Sequence, residues 1–416
     1  MGSISFTAFG GCQEVGRNAF LIESGGKKFL LDYGIDVQES ALPLSVPKNV
    51  SGVFLTHAHI DHNGALPLLY KKGYNKKTFM TKPTARLSEM LLKDSMKVQK
   101  LRGHSFFSSH DLRKMLDEIS IVGYRKPINV DGAKVEFYDA GHIPGSASIL
   151  IEIGGKRILY TGDINFDETE LMQAADTRIR DVDVIISEST YSYKNHPKKN
   201  ELADKLREIA QETYYNDGIT IMPTFAVGRA QEILLILNKL TFPVFIDGMC
   251  IEATEKILQY PDSIRDPKEL KRAFGRARKI KSSHDRANVI KNPCIIVTTA
   301  GMLQGGPVDY YVKKLYDRRN CSIVLTGYQV EGTPGSTLMK TGKYITDETE
   351  EKVKMNIKSM DFSAHCGRDS LINFYKKLNP KKIVLVHGEH TKEFMQDLKK
   401  LGFDTIAPKN MEKIEL

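Results

Sequence analysis

The sequence predicts a mixed α/β protein of two units, the second inserted into the first, and three observations carry that class. The chain opens with short apolar strands joined by glycine turns. From about residue 196 helical and strand patterns alternate. Candidate site residues that gather before residue 190 resume only after residue 360. At 416 residues the chain exceeds the usual size of one compact domain, and the expected organisation is residues 1–195, an insertion at 196–358, and a return to the first unit at 359–416.

The opening strands are residues 4–9, 18–22 and 28–31, separated by Gly10-Gly11 and Gly25-Gly26. Between residues 84 and 122 apolar residues recur at three and four (Leu87, Met90, Leu91, then Leu112, Met115, Leu116, Ile119), which predicts helices over one sheet face. Strand signals return at 135–138, 147–153 and 157–160, and again from Val182 to an acidic end at Glu188. In the insertion, helix at 201–215, strand at 219–223, helix at 228–240 and strand at 244–246, with further strands at 294–298 and 322–325, predict a small, mainly parallel α/β unit.

Composition narrows the class. With 41% hydrophobic and 27% charged residues, the chain has the means to fold and is not of the disordered type. Sixty Lys and Arg against 51 acids give a formal charge of +9, which suits a polyanionic partner or, equally, a lysine-rich solvated surface. Five cysteines, odd in number and without CxxC spacing, imply neither a disulfide framework nor a structural zinc site, and point to a reducing, cytoplasmic setting. No run approaches the ~18 apolar residues of a membrane span, and no basic stretch precedes an apolar one at the start, so no membrane partner is expected. Met1-Gly2 lacks the serine or threonine at residue 6 that a myristoylation signal requires.

The chemistry concentrates in Thr56-His57-Ala58-His59-Ile60-Asp61-His62. A lone histidine on a strand-to-helix turn is a capping residue; three imidazoles and a carboxylate within six residues need another reason, because buried ionisable groups require partners or a metal. His57 and His59 can face one ion and the adjacent Asp61 and His62 a second, at the about 3.5–4 Å separation of two-metal hydrolytic sites. Nitrogen and carboxylate donors without thiolate suit zinc, with manganese or iron as alternatives. Two further residues at strand ends beside glycine, His142 and Asp163, fit the remaining ligands: a histidine for the first ion and a carboxylate able to bridge both. Near the end, Ser363-Ala364-His365 and Val386-His387-Gly388-Glu389-His390 again place histidine after apolar or small residues.

The pattern His-x-His-x-Asp-His resembles the metallo-β-lactamase superfamily, and with Glu188, His365 and His387 the chain resembles its β-CASP branch of nucleases. Pro223-Thr224-Phe225-Ala226-Val227-Gly228-Arg229-Ala230-Gln231-Glu232, Asp247-Gly248-Met249, Gly301-Met302-Leu303 and Gly327-Tyr328-Gln329-Val330-Glu331-Gly332-Thr333 extend the likeness over essentially the whole chain. They resemble most the archaeal CPSF-like ribonucleases, in a form without N-terminal KH domains. The resemblance implies a metallo-β-lactamase αββα sandwich with an inserted α/β β-CASP domain. It implies two zinc ions, one on His57, His59 and His142, the other on Asp61, His62 and His387, with Asp163 between them.

By the same resemblance Asp32 orients ligands from behind, Asp61, Glu188 and His365 carry the chemistry, and the substrate is single-stranded RNA cut by an endonuclease or a 5′-to-3′ exonuclease. Arg229 and Ser363 are candidate phosphate contacts, and a homodimer through the segment ending at Leu416 is a further expectation. His390 matches no ligand and is expected to start a helix or to stand behind the site. Thr298-Thr299-Ala300 replaces a stretch that is often serine-rich in such proteins. The alternatives are a catalytically weak RNA-binding subunit, a DNA-processing β-CASP nuclease, or another hydrolase or oxidoreductase on the same core. The last have no such insertion and do not account for Glu188 with His365.

Overall fold

The computed structural model describes residues 3–38, 40–346 and 349–416, so the reading of Met1-Gly2 lies outside the described residues. The chain forms two compact units, the first comprising Met1–Asp167, Ala174–Asn195 and His365–Leu416, the second Glu168–Gln173 and His196–Ala364.

The first unit contains two seven-stranded sheets. In one, Ile4–Gly10, Ala19–Ser24 and Lys27–Leu31 form an antiparallel meander, continued in parallel by Gly52–Phe54, Thr78–Met80 and Ile119–Ile121. In the other, Ala133–Asp139, Ala147–Ile153 and Lys156–Tyr160 run antiparallel, followed in parallel by Val184–Glu188, Lys382–Val386 and Thr405–Ile406. Period-two alternation divides each strand between two cores. Phe6, Phe20, Phe29 and Phe54 meet Phe137, Ile149, Ile158 and Ile186 of the facing sheet, and each such buried side chain contributes about 1.5–3 kcal/mol.

Leu21, Leu30, Val53 and Met80 point the other way, into a core shared with Leu66, Leu69, Leu92, Leu112 and Met115 from the helices Leu66–Lys71, Lys82–Leu101 and Ser109–Asp117. Helices Arg368–Leu378 and Thr391–Lys400 cover the outer face of the second sheet through Leu371, Phe374, Tyr375, Phe394 and Leu398. The layers are therefore helix, sheet, sheet, helix, as expected.

The second unit is built on a six-stranded, wholly parallel sheet in the order Arg278–Ile280, Val244–Asp247, Cys294–Thr298, Ile219–Pro223, Ser322–Leu325, Asn356–Ser359. Its central strands are buried on both faces, which is why they read as continuous apolar runs. Among the described residues no helix is long and apolar enough to cross a membrane.

Three expectations are corrected. Ile119 lies in the strand Ile119–Ile121, not in a helix, because Ser109–Asp117 ends at Glu118 and the next residues pair with Thr78–Met80. The helix after Gly228 ends at Leu237, before Leu240. The C-terminal segment is exposed only in part: Lys413–Glu415 pairs with Ile4–Gly10 as an edge strand, and Ile414 and Leu416 are buried while Met411, Glu412, Lys413 and Glu415 are exposed.

Candidate metal centre

Parallel strands end on the same side, and the first unit uses this. Leu31 pairs with Phe54, so Asp32 and the segment from Leu55 to His57 leave adjacent strands side by side. Glu188 pairs with Val386, which places Glu188 and His387 at neighbouring strand ends. The approach is close: a side chain at Gly162, at φ +54°, would meet Thr56 at 2.8 Å. His387 itself adopts φ 48°, in the left-handed region where a non-glycine residue costs about 1–3 kcal/mol and persists only if its surroundings hold it. They do, since His387 N donates to Gly11 O at 2.6 Å and Gly388 N to Glu14 O at 2.9 Å.

The donors converge in three groups: His57, His59, His142 and Asp163; Asp61, His62 and His387; and Asp163, Glu188 and His365, the ligating atoms within each lying within 4.8 Å of one another. His59 Nδ1 is 3.2 Å from both His57 Nε2 and His142 Nε2. Asp163 Oδ2 is 3.5 Å from His57 Nε2 and from His142 Nε2, while its Oδ1 is 3.2 Å from His62 Nε2 and 3.5 Å from His387 Nε2. Asp61 Oδ2 lies 3.7 Å from His62 Nε2 and 3.8 Å from His387 Nε2.

That carboxylate tests whether a cation fits. Asp163 Oδ1 is buried and makes no hydrogen bond, an expensive condition for an anion unless something positive sits between it and the imidazoles. Three ring nitrogens and an oxygen in one group, and two ring nitrogens and an oxygen in the next with Asp163 Oδ1 facing both of those nitrogens, are donor sets suited to zinc.

Supporting contacts set the tautomers. Asp32 accepts from Tyr160 Oη (2.7 Å), Thr56 N (2.8 Å) and Thr56 Oγ1 (2.9 Å), so the His62 Nδ1 at 2.7 Å must donate, turning Nε2 toward the basin. Asn18 lies against His387 Nδ1, with Nδ2 at 2.8 Å and Oδ1 at 3.0 Å, and its Nδ2 also donates to Asp61 O. Asn18, Thr56 and Tyr160 went unnoticed in the sequence. None is a ligand type, and only the position of Thr56 next to the cluster gave any signal.

At the rim, His365 Nδ1 is 3.0 Å from both oxygens of Glu188, which also accepts from Ile164 N at 2.8 Å; His365 Nε2 faces Asp163 Oδ2 at 3.8 Å. Burial and the neighbouring imidazole of His62 hold His57 well below the usual histidine range, and burial also lowers His59. Burial would lower His62 too, but Asp163, Asp61 and Asp32 outweigh it and raise it well above that range. Burial is likewise overcome at His365, which Glu188 and Asp163 push up to about 9. Asp163, despite burial, is held well below the carboxylate range by His62, His387, His365 and His57.

Arg229 and Ser363 belong to the second unit. Arg229 begins the helix Arg229–Leu237, half-buried, its guanidinium 6.0 Å from the centre of the Phe362 ring; Ser363 is buried beside it in sequence. His390 is exposed and is the N-cap residue of the helix Thr391–Lys400, its carbonyl accepting from Phe394 N while its side chain makes no capping bond.

Family models match the chain in three stretches: the Beta-Casp domain at residues 230–338, the Zn-dependent metallo-hydrolase RNA specificity domain at 350–408, and the anti-Pycsar protein Apyc1 at 6–223. The protein named Probable RNase MJ4 of Methanocaldococcus jannaschii is 36% identical, over 98% of this chain and 99% of its own. RNase aCSPSF2 of Saccharolobus solfataricus is 36% identical over 98% and 84%, and transcription termination factor FttA of Methanosarcina mazei 32% identical over 99% and 72%. A solved structure of a protein of unknown function from Enterococcus faecalis matches at TM-score 0.61 over the whole of both chains, with 14% identity, a likeness of fold alone.

Proposed function

The chain belongs to the β-CASP family of metal-dependent hydrolases, on the side of the archaeal CPSF-like ribonucleases, and on that premise we propose that it uses two zinc ions to hydrolyse phosphodiester bonds of single-stranded RNA. The observation that carries this reading is the convergence of six candidate ligands, His57, His59, Asp61, His62, His142 and His387, around Asp163, with the Glu188–His365 pair at the rim. His57, His59 and His142 would hold one ion and Asp61, His62 and His387 the other, with Asp163 shared. Bound zinc would supply Lewis-acid chemistry, acidifying a water and neutralising charge on the phosphoryl oxygens.

The remaining steps fall to the protein. Asp32 keeps the His62 proton on Nδ1, leaving Nε2 to ligate, and Asn18 fixes the His387 ring. Glu188 accepts from His365 Nδ1, so the proton that His365 gives up leaves from Nε2, the nitrogen that faces Asp163. Glu188 and Asp163 push the His365 pKa up to about 9, which favours the protonated ring, the form that can deliver a proton to the departing 3′ oxygen. The products are a 5′ phosphate and a 3′ hydroxyl.

Arg229 and Ser363 are assigned to substrate phosphates. Five free, buried cysteines are in keeping with a reducing cytoplasm. A homodimer would use the segment ending at Leu416, where Lys413–Glu415 is an edge strand of its sheet. The test is cleavage of circular, 5′-monophosphate and 5′-triphosphate RNAs by the zinc-loaded chain. Cut circles mean an endonuclease, mononucleotide release from monophosphate ends a 5′-to-3′ exonuclease. Absence of turnover on all three replaces this reading with that of an RNA-binding subunit.

A further inference from the structure

Beyond the metal basin, the first unit presents a short line of rings for which the chemistry above has no use. Tyr191 lies 6.0 Å from His365 by ring centres and is 4% exposed. Tyr193 lies parallel to Tyr191 at 6.1 Å, with an interplanar angle of 16°, and is 44% exposed. His390, the residue without a role, packs on Tyr193 at 4.6 Å. Lys194 Nζ stands 5.0 Å from the centre of Tyr191 and 5.5 Å from that of Tyr193.

The segment that bears these rings is held firmly. Ser189 N and Thr190 Oγ1 donate to His387 O, Ser189 Oγ to Val386 O and Lys194 N to Tyr191 O. From the adjacent helix, Arg368 N donates to Lys194 O, Arg368 Nη1 to Ser192 O, and Asp369 N to Asn195 Oδ1. A large ring left open to solvent on a loop this well bonded pays its ordering entropy before any ligand arrives. An exposed aromatic face with a cation beside it is the chemistry that receives a nucleobase and its phosphate, and stacking needs no particular base.

Resting on the ribonuclease reading, we propose that Tyr193, backed by His390 and Tyr191 and flanked by Lys194, is the stacking platform for a base of the RNA strand within two nucleotides of the scissile phosphate. The line of rings beginning at His365 would set how the strand enters the basin, and the platform would favour unpaired RNA because a base in a duplex cannot offer its face.

The experiment uses the zinc-loaded full-length chain. Single-stranded RNAs carrying one abasic nucleotide, moved stepwise along the strand, are compared with the intact strand, by anisotropy on phosphorothioate-protected RNA and by cleavage of the unprotected form. The expected result is a loss of about ten-fold in affinity when the abasic nucleotide falls at one position. Tyr193→Ala should lose that much on the intact strand and nothing further on the abasic one, the effect falling on KM rather than kcat, while Tyr193→Phe keeps the wild-type pattern. Equal abasic penalties in wild type and Tyr193→Ala, or none at any position, overturn the platform. Binding is read without turnover, so a chain that discriminates abasic RNA but cuts nothing refutes the ribonuclease reading and leaves the platform standing.

Discussion

Two corners of one basin use the same side chain in opposite ways. At His57 and His59 burial depresses the pKa and favours the neutral ring that offers a lone pair; a few ångströms away Glu188 and Asp163 overcome the same burial and raise His365 to about 9, favouring the charged ring that offers a proton. The lesson is that neighbours assign the role. Carboxylates hold both His62 and His365 toward the protonated form, and position separates them: His62 lies within a donor group, His365 at the rim beside Glu188.

The sharpest way to break this contrast is to remove the carboxylate both corners share. Asp163→Ala should abolish cleavage, by more than the roughly 10⁴-fold a general acid can supply, and should lower bound zinc as measured by atomic absorption, with RNA binding largely kept. His365→Ala should cost about 10²–10⁴ in kcat while zinc content stays near that of the parent; loss of zinc along with activity would show His365 to be a ligand and erase the distinction.

Asp32→Asn, which takes the strong acceptor from His62 Nδ1, should weaken zinc affinity about 10–100-fold in a competition titration with a chromogenic chelator. Glu188→Gln bears on the acid corner alone. With the negative charge gone, burial dominates, so the His365 pKa should fall below its present value of about 9 and the alkaline limb of the kcat profile should move to lower pH. In the metal-free chain, imidazole resonances followed by NMR should show the same downward shift, and a His365 that titrates unchanged would dismiss the relay. The smallest effect is expected for Arg229→Ala in the second unit, a modest loss of RNA affinity with the salt slope reduced by about one.

Legibility followed sequence distance. His57, His59, Asp61 and His62 were plain because four donors in six residues leave a local signature, and His142, Asp163 and His387 could be added because each follows the end of a strand and stands beside glycine. Asn18 and Tyr160 were not legible: their value lies in partners 369 and 128 residues away, and nothing in their surroundings marks them. In the fold, the long apolar strands Cys294–Thr298 and Ile219–Pro223 were read correctly to the residue. The three- and four-residue edge strands Arg278–Ile280 and Asn356–Ser359 were not, since so short and charged a stretch owes its form to pairing with a neighbour, not to its own pattern. Ile119 misled because its spacing continued a helical series that ends just before it.

The strand Lys382–Val386 brings His387 to the site after the inserted unit, and Lys413–Glu415 then joins the opening sheet. Without residues 365–387 the unit would keep His57, His59, His142 and Asp163 but lack His365 and the third partner of Asp61 and His62. The two donor groups therefore depend unequally on that returning strand: one is drawn wholly from residues 57–163, while the other needs His387.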